Sequence, residues 1–329
     1  MTGSIRGRPR RRDSHAMRGW RGRSPFPAGA RAWTSVAMLV LCACGDATGP
    51  TLSPGERCGS DSSAVPNFAD PALEAGVRAA LDLAPEESLT CGRAASLESL
   101  GVNATGIRDL SGVENLTGLT ELLVAQNAIE DLGPLAALTD LEYLDVRENS
   151  ITDLSPLAGL TSMFALSFGE NQVSDLSPVR NMSQLEQLGG SHNRISDLTP
   201  LAGLETLLRL ELYNNNIADL DPIVGLWALQ TLDVGRNTLS DLSALTELDN
   251  LLIIGLERTT ITDVSPLIDM IYLTTLHLQD NRELSDIQPL LDNPGVGRDD
   301  EVKLERTAVS CADIEMLRAK RATVTSNCP

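Results

Sequence analysis

The hydrophobic residues of this chain recur with a period of 22, and the spacing inside each period is the same. In the unit that begins at Leu141, Leu144 and Val146 alternate with polar residues, as in a short strand with one buried face. Further apolar residues between 151 and 160 continue inward around a tight, mostly non-strand return. Inward side chains contribute roughly 10–20 kcal/mol per unit, whereas ordering the unit costs about 33 kcal/mol. The pattern therefore predicts a stack of coils that share their buried surfaces.

A single asparagine marks the same position in most of these units. The residues of this ladder are Asn127, Asn149, Asn171, Asn193, Asn215, Asn237 and Asn281. Thr259 fills the one empty position, and Thr105 lies one step before the first asparagine. A side-chain amide offers two donors and an acceptor. We therefore predict that each amide satisfies backbone groups buried where the strand turns into the return, and we favour this role over a catalytic or ligand-binding one.

An aspartate also recurs every 22 residues, from Asp109 to Asp263, and it often precedes Leu-x-Pro-Leu. One interpretation is a column of calcium ligands. The other is the start of a helical turn, with the acid near its N-terminus and proline in its first turn. One carboxylate per coil without a second oxygen ligand nearby is poor calcium chemistry. We favour the turn and predict no metal site.

The repeated unit reads LxxLxLxxNxIxDLxPLxxL, and from about Leu97 to Leu290 it resembles the bacterial leucine-rich repeat proteins of the internalin type. The resemblance implies an α/β fold, a right-handed leucine-rich repeat solenoid. A parallel sheet would line its concave side, 3₁₀ turns its convex side, and a cap would cover each end. About ten coils at ~4.8 Å per strand would extend roughly 45 Å.

Residues 1–43 have the composition of a lipoprotein signal peptide. They contain nine arginines and one acid, and they end in an apolar run that is too short to span a bilayer. The sequence LCACG around Cys44 resembles the lipobox of bacterial lipoproteins. This resemblance implies that Cys44 is acylated and becomes the first mature residue. The alternative is an ordinary signal peptide cut nearby, with Cys44 paired elsewhere.

This leader predicts an exported protein that is lipid-anchored in the bacterial cell envelope. Gly45, after the cysteine, is not the aspartate that signals inner-membrane retention in some bacteria, which favours the outer membrane. Residues 44–67 are rich in Gly, Ser, Thr and Pro and are predicted to form a flexible tether.

The charge of the chain narrows the possible partners. The net charge is −19, and the leader is basic, so the mature part carries about −27. Such an acidic surface makes nucleic acid a poor partner. Membrane attachment is expected to depend on the acyl anchor.

Both ends of the stack are expected to carry caps. Residues 68–96 are predicted to form an N-terminal helical cap that begins at Asp70, residues 97–309 the repeats, and residues 310–329 a disulfide-closed C-terminal cap. In the last segment Ser310 and Asp313 resemble a capping box, and residues 322–325 suggest a final strand.

Four cysteines outside the leader region flank the repeats in two pairs. Distance along a rigid rod excludes bridges between opposite ends. We therefore predict the disulfides Cys58–Cys91 and Cys311–Cys328, in keeping with an oxidising, exported setting.

The sequence contains no evident constellation for catalysis. His192 and His277 have no second histidine or cysteine placed to complete a metal site. The sequence GGS at 189–191 lacks the Gly-x-Ser-x-Gly of a nucleophile elbow. Gly190 is instead expected to make room for Phe168 in the neighbouring coil. We predict no enzymatic activity, no catalytic residue and no cofactor.

The outward strand positions vary while the inward ones do not. Two coils of mostly small residues, between 165 and 191, separate two coils that carry tyrosine and arginine, which predicts a shallow dip with aromatic and guanidinium walls. Such residues are frequent anchors of protein interfaces. The predicted partner-binding face consists of Tyr143, Asp145, Arg147, Arg209, Glu211, Tyr213, Asp233 and His277. The alternative is a merely soluble face with chance placement.

Three functional hypotheses follow from the sequence. The first is a monomeric, non-enzymatic, lipid-anchored protein that binds an unidentified protein partner through its concave face. The second is a structural or glycan-binding envelope protein, in which the tyrosines stack on a sugar. The third and weakest is an enzyme whose site depends on His277.

Overall fold

The computed structural model describes residues 49–53 and 55–329. The predicted signal peptide and the predicted acylation site, Cys44, lie outside the described residues. The chain from Ser99 to Thr325 forms a right-handed leucine-rich repeat solenoid of the α/β class. The predicted fold class is confirmed.

Within the described part of the chain, eleven strands form one parallel sheet in which each strand pairs with the next one in sequence. The strands are β1 (Ser99–Gly101), β2 (Glu121–Leu123), β3 (Tyr143–Asp145), β4 (Ala165–Ser167), β5 (Gln187–Gly189), β6 (Arg209–Glu211), β7 (Thr231–Asp233), β8 (Ile253–Gly255), β9 (Thr275–His277), β10 (Glu301–Lys303) and β11 (Thr323–Thr325). Leu144 lies beside Leu166, one 22-residue period on. The coil between β9 and β10 is longer, so that Leu276 pairs with Val302.

The core is a continuous column of apolar side chains inside the coils. Leu144, Val146 and Ile151 are fully buried, as their spacing predicts. Phe168 is also fully buried, and a Cβ at Gly190 would lie 2.5 Å from its Cζ atom. This close approach confirms that the glycine makes room for the ring.

On the convex side, the coils return through short 3₁₀ turns. The turns are Val113–Asn115, Gly133–Ala137, Ser155–Gly159, Ser177–Asn181, Thr199–Leu201, Asp221–Ile223, Ser243–Glu247 and Ser265–Leu267. The recurring aspartate lies two residues before seven of them, from Gly133–Ala137 to Ser265–Leu267, and accepts a hydrogen bond from the backbone N–H two residues on. Asp153 Oδ1 accepts a hydrogen bond from the backbone N–H of Ser155 at 2.7 Å, and its Oδ2 accepts one from the Ser155 hydroxyl at 2.7 Å. These contacts confirm the interpretation of the aspartate column as turn starts.

The ladder asparagines join successive coils. Asn149 Nδ2 donates to the carbonyl oxygens of Val124 at 3.0 Å, Val146 at 3.0 Å and Arg147 at 3.1 Å. Its Oδ1 accepts a hydrogen bond from the N–H of Ile129 at 3.0 Å. The equivalent donations are made by Asn127, Asn171, Asn193, Asn215, Asn237 and Asn281. Each amide therefore satisfies backbone groups of its own coil and of the preceding one.

The residue before each ladder position has a positive φ. These residues are Ala104, Gln126, Glu148, Glu170, His192, Asn214, Arg236, Arg258, Asp280 and Arg306. A left-handed conformation costs an L-residue about 1–2 kcal/mol. A hydrogen bond to the next coil offsets this cost, since the N–H of Glu148 donates to Gly169 at 2.9 Å.

The N-terminal end of the solenoid is covered by the helices α1 (Pro71–Ala80) and α2 (Cys91–Ala94). Asp70 caps α1 by accepting a hydrogen bond from the N–H of Ala72 at 2.9 Å. Leu73 and Val77 are buried against the first coils. Cys58 and Cys91 form a disulfide with a Cα–Cα distance of 5.7 Å.

The described residues of 49–67, the predicted flexible tether, make backbone hydrogen bonds to one another. The N–H of Leu52 donates to Val65 at 2.9 Å, and the N–H of Val65 donates to Pro50 at 2.9 Å. The side chain of Ala64 is only 2% exposed, and the disulfide through Cys58 holds the segment to α2. Its Gly, Ser, Thr and Pro residues therefore serve turns that pack on the N-terminal cap.

The C-terminal end carries α3 (Gln288–Asp292) and α4 (Cys311–Ala319). Ser310 caps α4 by accepting a hydrogen bond from the N–H of Asp313 at 3.1 Å, as the capping box predicts. Strand β11 confirms the predicted final strand. Cys311 and Cys328 form a disulfide with a Cα–Cα distance of 5.5 Å. None of the helices in the described residues is both long and apolar enough to cross a membrane.

Candidate binding face

The concave sheet directs three side chains per coil toward solvent, because side chains of a strand alternate between its two faces. They belong to the first and third strand residues and to the second residue after the strand. In the β3 coil these are Tyr143, Asp145 and Arg147. We call this surface, from the β3 coil to the β9 coil, the concave face. Its backbone is fixed by strand pairing, so its side chains have rigid supports.

Asp145 is buried and neutralised within the chain. Arg147 Nε donates to its Oδ1 at 2.8 Å, and Arg147 Nη2 donates to its Oδ2 at 2.6 Å. The side chain of Asp145 is only 3% exposed, while that of Arg147 is 40% exposed. Asp145, one of the predicted contact residues, is therefore covered by the arginine. Hydrogen bonding to Asp145 raises the pKa of Arg147.

Small residues follow in the β4 and β5 coils. Ala165 and Ser167 are buried, and a Cβ at Gly189 would lie 3.2 Å from Ser167 Oγ. A Cβ at Gly169 would lie 3.8 Å from Arg147 Cγ. The surface is therefore low over these two coils, and Arg147 borders the low region on one side.

An aromatic pair lies on each side of the low region. The ring centroids of Tyr143 and Phe164 are 5.3 Å apart, and those of Tyr213 and His192 are 5.4 Å apart. Phe164 and His192 were missed by the sequence analysis, because neither occupies an outward strand position. The sequence feature that could have revealed them is their spacing, since each lies 21 residues from the tyrosine that it contacts. Burial is the main reason why the pKa of Tyr143 is raised.

The β6 coil brings three predicted residues together. Arg209 Nη1 donates to Glu211 Oε1 at 2.7 Å, so these two charges offset each other. Tyr213 lies two residues further on, with its ring against His192. This coil therefore presents an aromatic ring and a neutralised ion pair beside the low region.

Asp233 and Glu257 form an acidic pair to which none of the residues that the structure describes supplies a neutralising cation. Asp233 accepts a hydrogen bond from the N–H of Gly235 at 3.2 Å. Neither carboxylate makes an ion pair with another described residue. Burial, followed by the negative charge of Glu257, raises the pKa of Asp233 to about 7. The Oε2 atom of Glu257 is inaccessible to solvent and has no hydrogen-bond partner in the described part of the chain.

Two glycines allow these carboxylates to converge. A Cβ at Gly255 would lie 2.6 Å from Asp233 Oδ1, and a Cβ at Gly235 would lie 2.8 Å from Glu257 Cδ. Each carboxylate therefore lies over the glycine of the other strand. The ring of Tyr213 reaches the same place, because a Cβ at Gly235 would lie 3.0 Å from its Cδ2. Glu257 was not among the predicted contact residues. Glycine at the outward positions 235 and 255 is the sequence feature that could have indicated that longer side chains reach across from neighbouring strands.

His277 lies one strand beyond this pair, beside Gly255 on one side and Lys303 on the other. Burial, followed by the positive charge of Lys303, lowers the pKa of His277. The imidazole is therefore neutral near pH 7 and adds no positive charge to the acidic pair. Lys303 in turn pairs with Glu301 at 3.3 Å.

No group of three or more His, Cys, Asp or Glu side chains in the described residues could hold a metal ion. Asp233 and Glu257 supply two carboxylates, whereas calcium takes about six to eight oxygen ligands. The arrangement is suited to hydrogen bonding, ion pairing and aromatic contact with another molecule.

Comparison with known proteins agrees with this architecture. The family described as Leucine Rich repeats (2 copies) matches residues 117–159 and 205–247. A comparison with curated proteins gives no match.

Several solved structures are similar to this chain. An internalin (InlF) from Listeria monocytogenes is 26% identical, with a TM-score of 0.63 over 78% of this chain and 91% of that chain. An internalin C2 from the same species is 27% identical, with a TM-score of 0.52 over 78% and 94% of the two chains. The plant peptide hormone receptor RGFR1, solved in complex with RGF2, is 18% identical, with a TM-score of 0.58 over 71% and 41%. The matched repeats, the solenoid and the similarity to both internalins together show that the chain has a leucine-rich repeat fold like that of the internalins.

Proposed function

We propose that this protein is a non-enzymatic, exported binding module that recognises another protein through its concave face. The observation that carries the proposal is the pair of aromatic clusters on either side of the low region. Tyr143 packs against Phe164 on one side, and Tyr213 packs against His192 on the other. Between them the outward residues are mostly small, with glycine at 169 and 189, so few bulky side chains stand between a partner and the sheet.

Preorganisation supports the same proposal. Arg147 is held by two hydrogen bonds to Asp145, and Arg209 is held by Glu211. Side chains that are already fixed lose little conformational entropy when a partner binds. Aromatic residues and arginines are also the side chains that most often dominate binding energy in protein interfaces.

The similar proteins are consistent with a protein or peptide partner. The plant receptor of the same fold was solved in complex with RGF2. That likeness concerns the fold alone. The residues of the concave face carry the argument for this chain.

The place of action that we propose is the bacterial cell envelope. Two disulfides in the described residues are typical of an exported protein. Acylation of Cys44 would anchor the solenoid, and the short segment before residue 49 would join it to the membrane, preferably the outer one. Mass spectrometry of the mature N-terminus tests this part. A diacylated or triacylated Cys44 is expected, and an unmodified N-terminus at another residue would contradict the anchor.

Binding through the concave face is tested by crosslinking and capture from intact envelopes of the source cells. We expect the double variant Tyr143→Ala with Tyr213→Ala to lose the captured protein. The matched control is Trp227→Ala with Tyr272→Ala, because these aromatic residues are 58% and 40% exposed and lie before the strands, away from the concave face. Equal capture by both double variants would contradict the proposal. Loss of capture after glycosidase treatment would favour a glycan ligand instead.

A further inference from the structure

The chain contains the same acidic position twice on its concave face. Leu144-Asp145-Val146 in the β3 coil and Leu232-Asp233-Val234 in the β7 coil have the same sequence and the same place in the 22-residue period. In both coils a ladder asparagine follows at the same distance, Asn149 and Asn237. The backbone supports of the two acids are therefore equivalent.

The two coils differ at the residue that covers the acid. Two residues after Asp145 stands Arg147, whose guanidinium makes two hydrogen bonds to the carboxylate. Two residues after Asp233 stands Gly235, which has no side chain. The β3 coil therefore shows that a guanidinium can pair with this acid. In the β7 coil the space above Gly235 is taken by the Glu257 carboxylate and the Tyr213 ring, and the coil supplies no cation of its own at this position.

The surroundings of Asp233 are more acidic than those of Asp145. Glu257 reaches over Gly235 from the next strand, and its Oε2 atom has no hydrogen-bond partner in the described part of the chain. Two converging carboxylates repel each other until a cation lies between them. A buried acceptor without a donor is also costly, so a ligand that supplies N–H groups would be favoured.

The basic residues of neighbouring coils are engaged elsewhere. Arg209 pairs with Glu211, Arg258 with Asp280, and Lys303 with Glu301. The ring of Tyr213 lies beside Gly235, and the π face of such a ring attracts a cation. The carboxylates of Asp233 and Glu257 and the ring of Tyr213 thus lie close together on the concave face, around Gly235 and Gly255.

We propose that Asp233, Glu257 and Tyr213 form a binding site for a cationic side chain of a protein partner, an arginine or a lysine, which pairs with these carboxylates as Arg147 pairs with Asp145. This proposal rests on the proposed function and specifies the chemistry of the partner. Arginine fits best, because its planar guanidinium can donate to two carboxylates at once. The partner segment would be basic, complementary to a chain with a net charge of −19.

The test uses the purified full-length protein and a fluorescein-labelled peptide in which arginine alternates with glycine. Binding is followed by fluorescence anisotropy at physiological ionic strength. A second peptide with glutamine in place of arginine reports contacts that do not need the charge. The site variant is Asp233→Asn with Glu257→Gln. The charge-matched control is Asp249→Asn with Glu247→Gln, two exposed acids outside the concave face.

The site variant is expected to bind the arginine peptide at least about tenfold more weakly than the wild type. The control variant is expected to bind as the wild type does, and the glutamine peptide to bind none of the proteins. Urea unfolding of each variant establishes that the loss does not come from misfolding. Equal weakening in both variants would overturn the proposal, because it would reduce binding to general charge attraction. Displacement of the peptide by calcium chloride in the wild type but not in the site variant would also overturn it, in favour of a metal site.

The two proposals fail separately. If the tyrosine double variant loses its captured protein while the acidic double variant keeps it, the concave face binds a partner without a cation at Asp233. If neither affects capture, the proposed function fails as well.

Discussion

The β3 and β7 coils have the same scaffold and opposite electrostatic character. Asp145 is covered by Arg147, whereas Asp233 has Gly235 at the corresponding position and Glu257 across the neighbouring strand. The inward side chains and the ladder asparagines fix the backbone of both coils, so the difference comes from two outward positions, Arg147 against Gly235 and Gly169 against Glu257. In this solenoid the scaffold and the binding chemistry can therefore vary independently.

The largest effect is expected from the part that the two coils share. Asn149→Ala and Asn237→Ala each remove a side-chain amide that donates three hydrogen bonds and accepts one. Each substitution should lower the free energy of unfolding by about 2–4 kcal/mol, because buried backbone groups lose their partners. Urea unfolding measures both. A loss in one coil several times that in the other would show that the scaffolds are not equivalent.

Removing the covering arginine should make the β3 coil resemble the β7 coil. Arg147→Gly leaves the buried Asp145 carboxylate without its cation, and we expect a loss of about 1–3 kcal/mol in the free energy of unfolding near neutral pH. Adding Asp145→Asn to the same protein should restore most of this loss, because an amide carries no charge. If the second substitution restores nothing, the ion pair is not what stabilises this coil.

Removing the uncovered acid should stabilise the protein at high pH only. The pKa of Asp233 is about 7 in the folded chain against an ordinary value of 3.8, with Glu257 and Glu211 as the neighbouring acids that raise it. Because the pKa of Asp233 is higher in the folded chain than in the unfolded chain, the folded protein loses stability as the pH rises from about 4 to about 7. Arg209 is paired with Glu211, and the pKa of His277 is lowered, so neither offsets this loss.

Asp233→Asn should therefore raise the free energy of unfolding by up to about 4 kcal/mol above pH 8 and leave it nearly unchanged near pH 4. Urea unfolding at the two pH values measures the difference. The same gain at both pH values would exclude ionisation of Asp233 as its cause.

Much of the scaffold could be predicted from the sequence, because its rules repeat in every coil. The period of 22 set the strands, the turn aspartates and the position of each ladder asparagine. The left-handed residue before each asparagine could not be predicted in this way. It is His192 in one coil and Arg236 in another, and neither is the glycine that would reveal a positive φ.

The candidate site was harder to predict than the scaffold. The alternation of a strand indicates that Asp145 points outward, but it does not indicate that Arg147 folds over it. Glu257 matters because Gly235 and Gly255 allow two side chains to cross between strands, and this is a contact between coils. The described part of 49–67 shows the same difficulty, since its composition indicates a tether while a disulfide through Cys58 ties it down.

The most direct test of the comparison gives the β7 coil its own arginine. Gly235→Arg should push aside the Glu257 carboxylate, whose Cδ lies 2.8 Å from the new Cβ position, place a guanidinium beside Asp233 and block the arginine peptide. Gly225→Arg adds the same charge at a position where a Cβ would meet no other atom. Anisotropy titration of the two variants isolates the site from the overall charge. We predict that Gly235→Arg lowers the affinity for the peptide at least about tenfold and that Gly225→Arg leaves it close to the wild-type value. Equal affinities for the two variants would contradict the account.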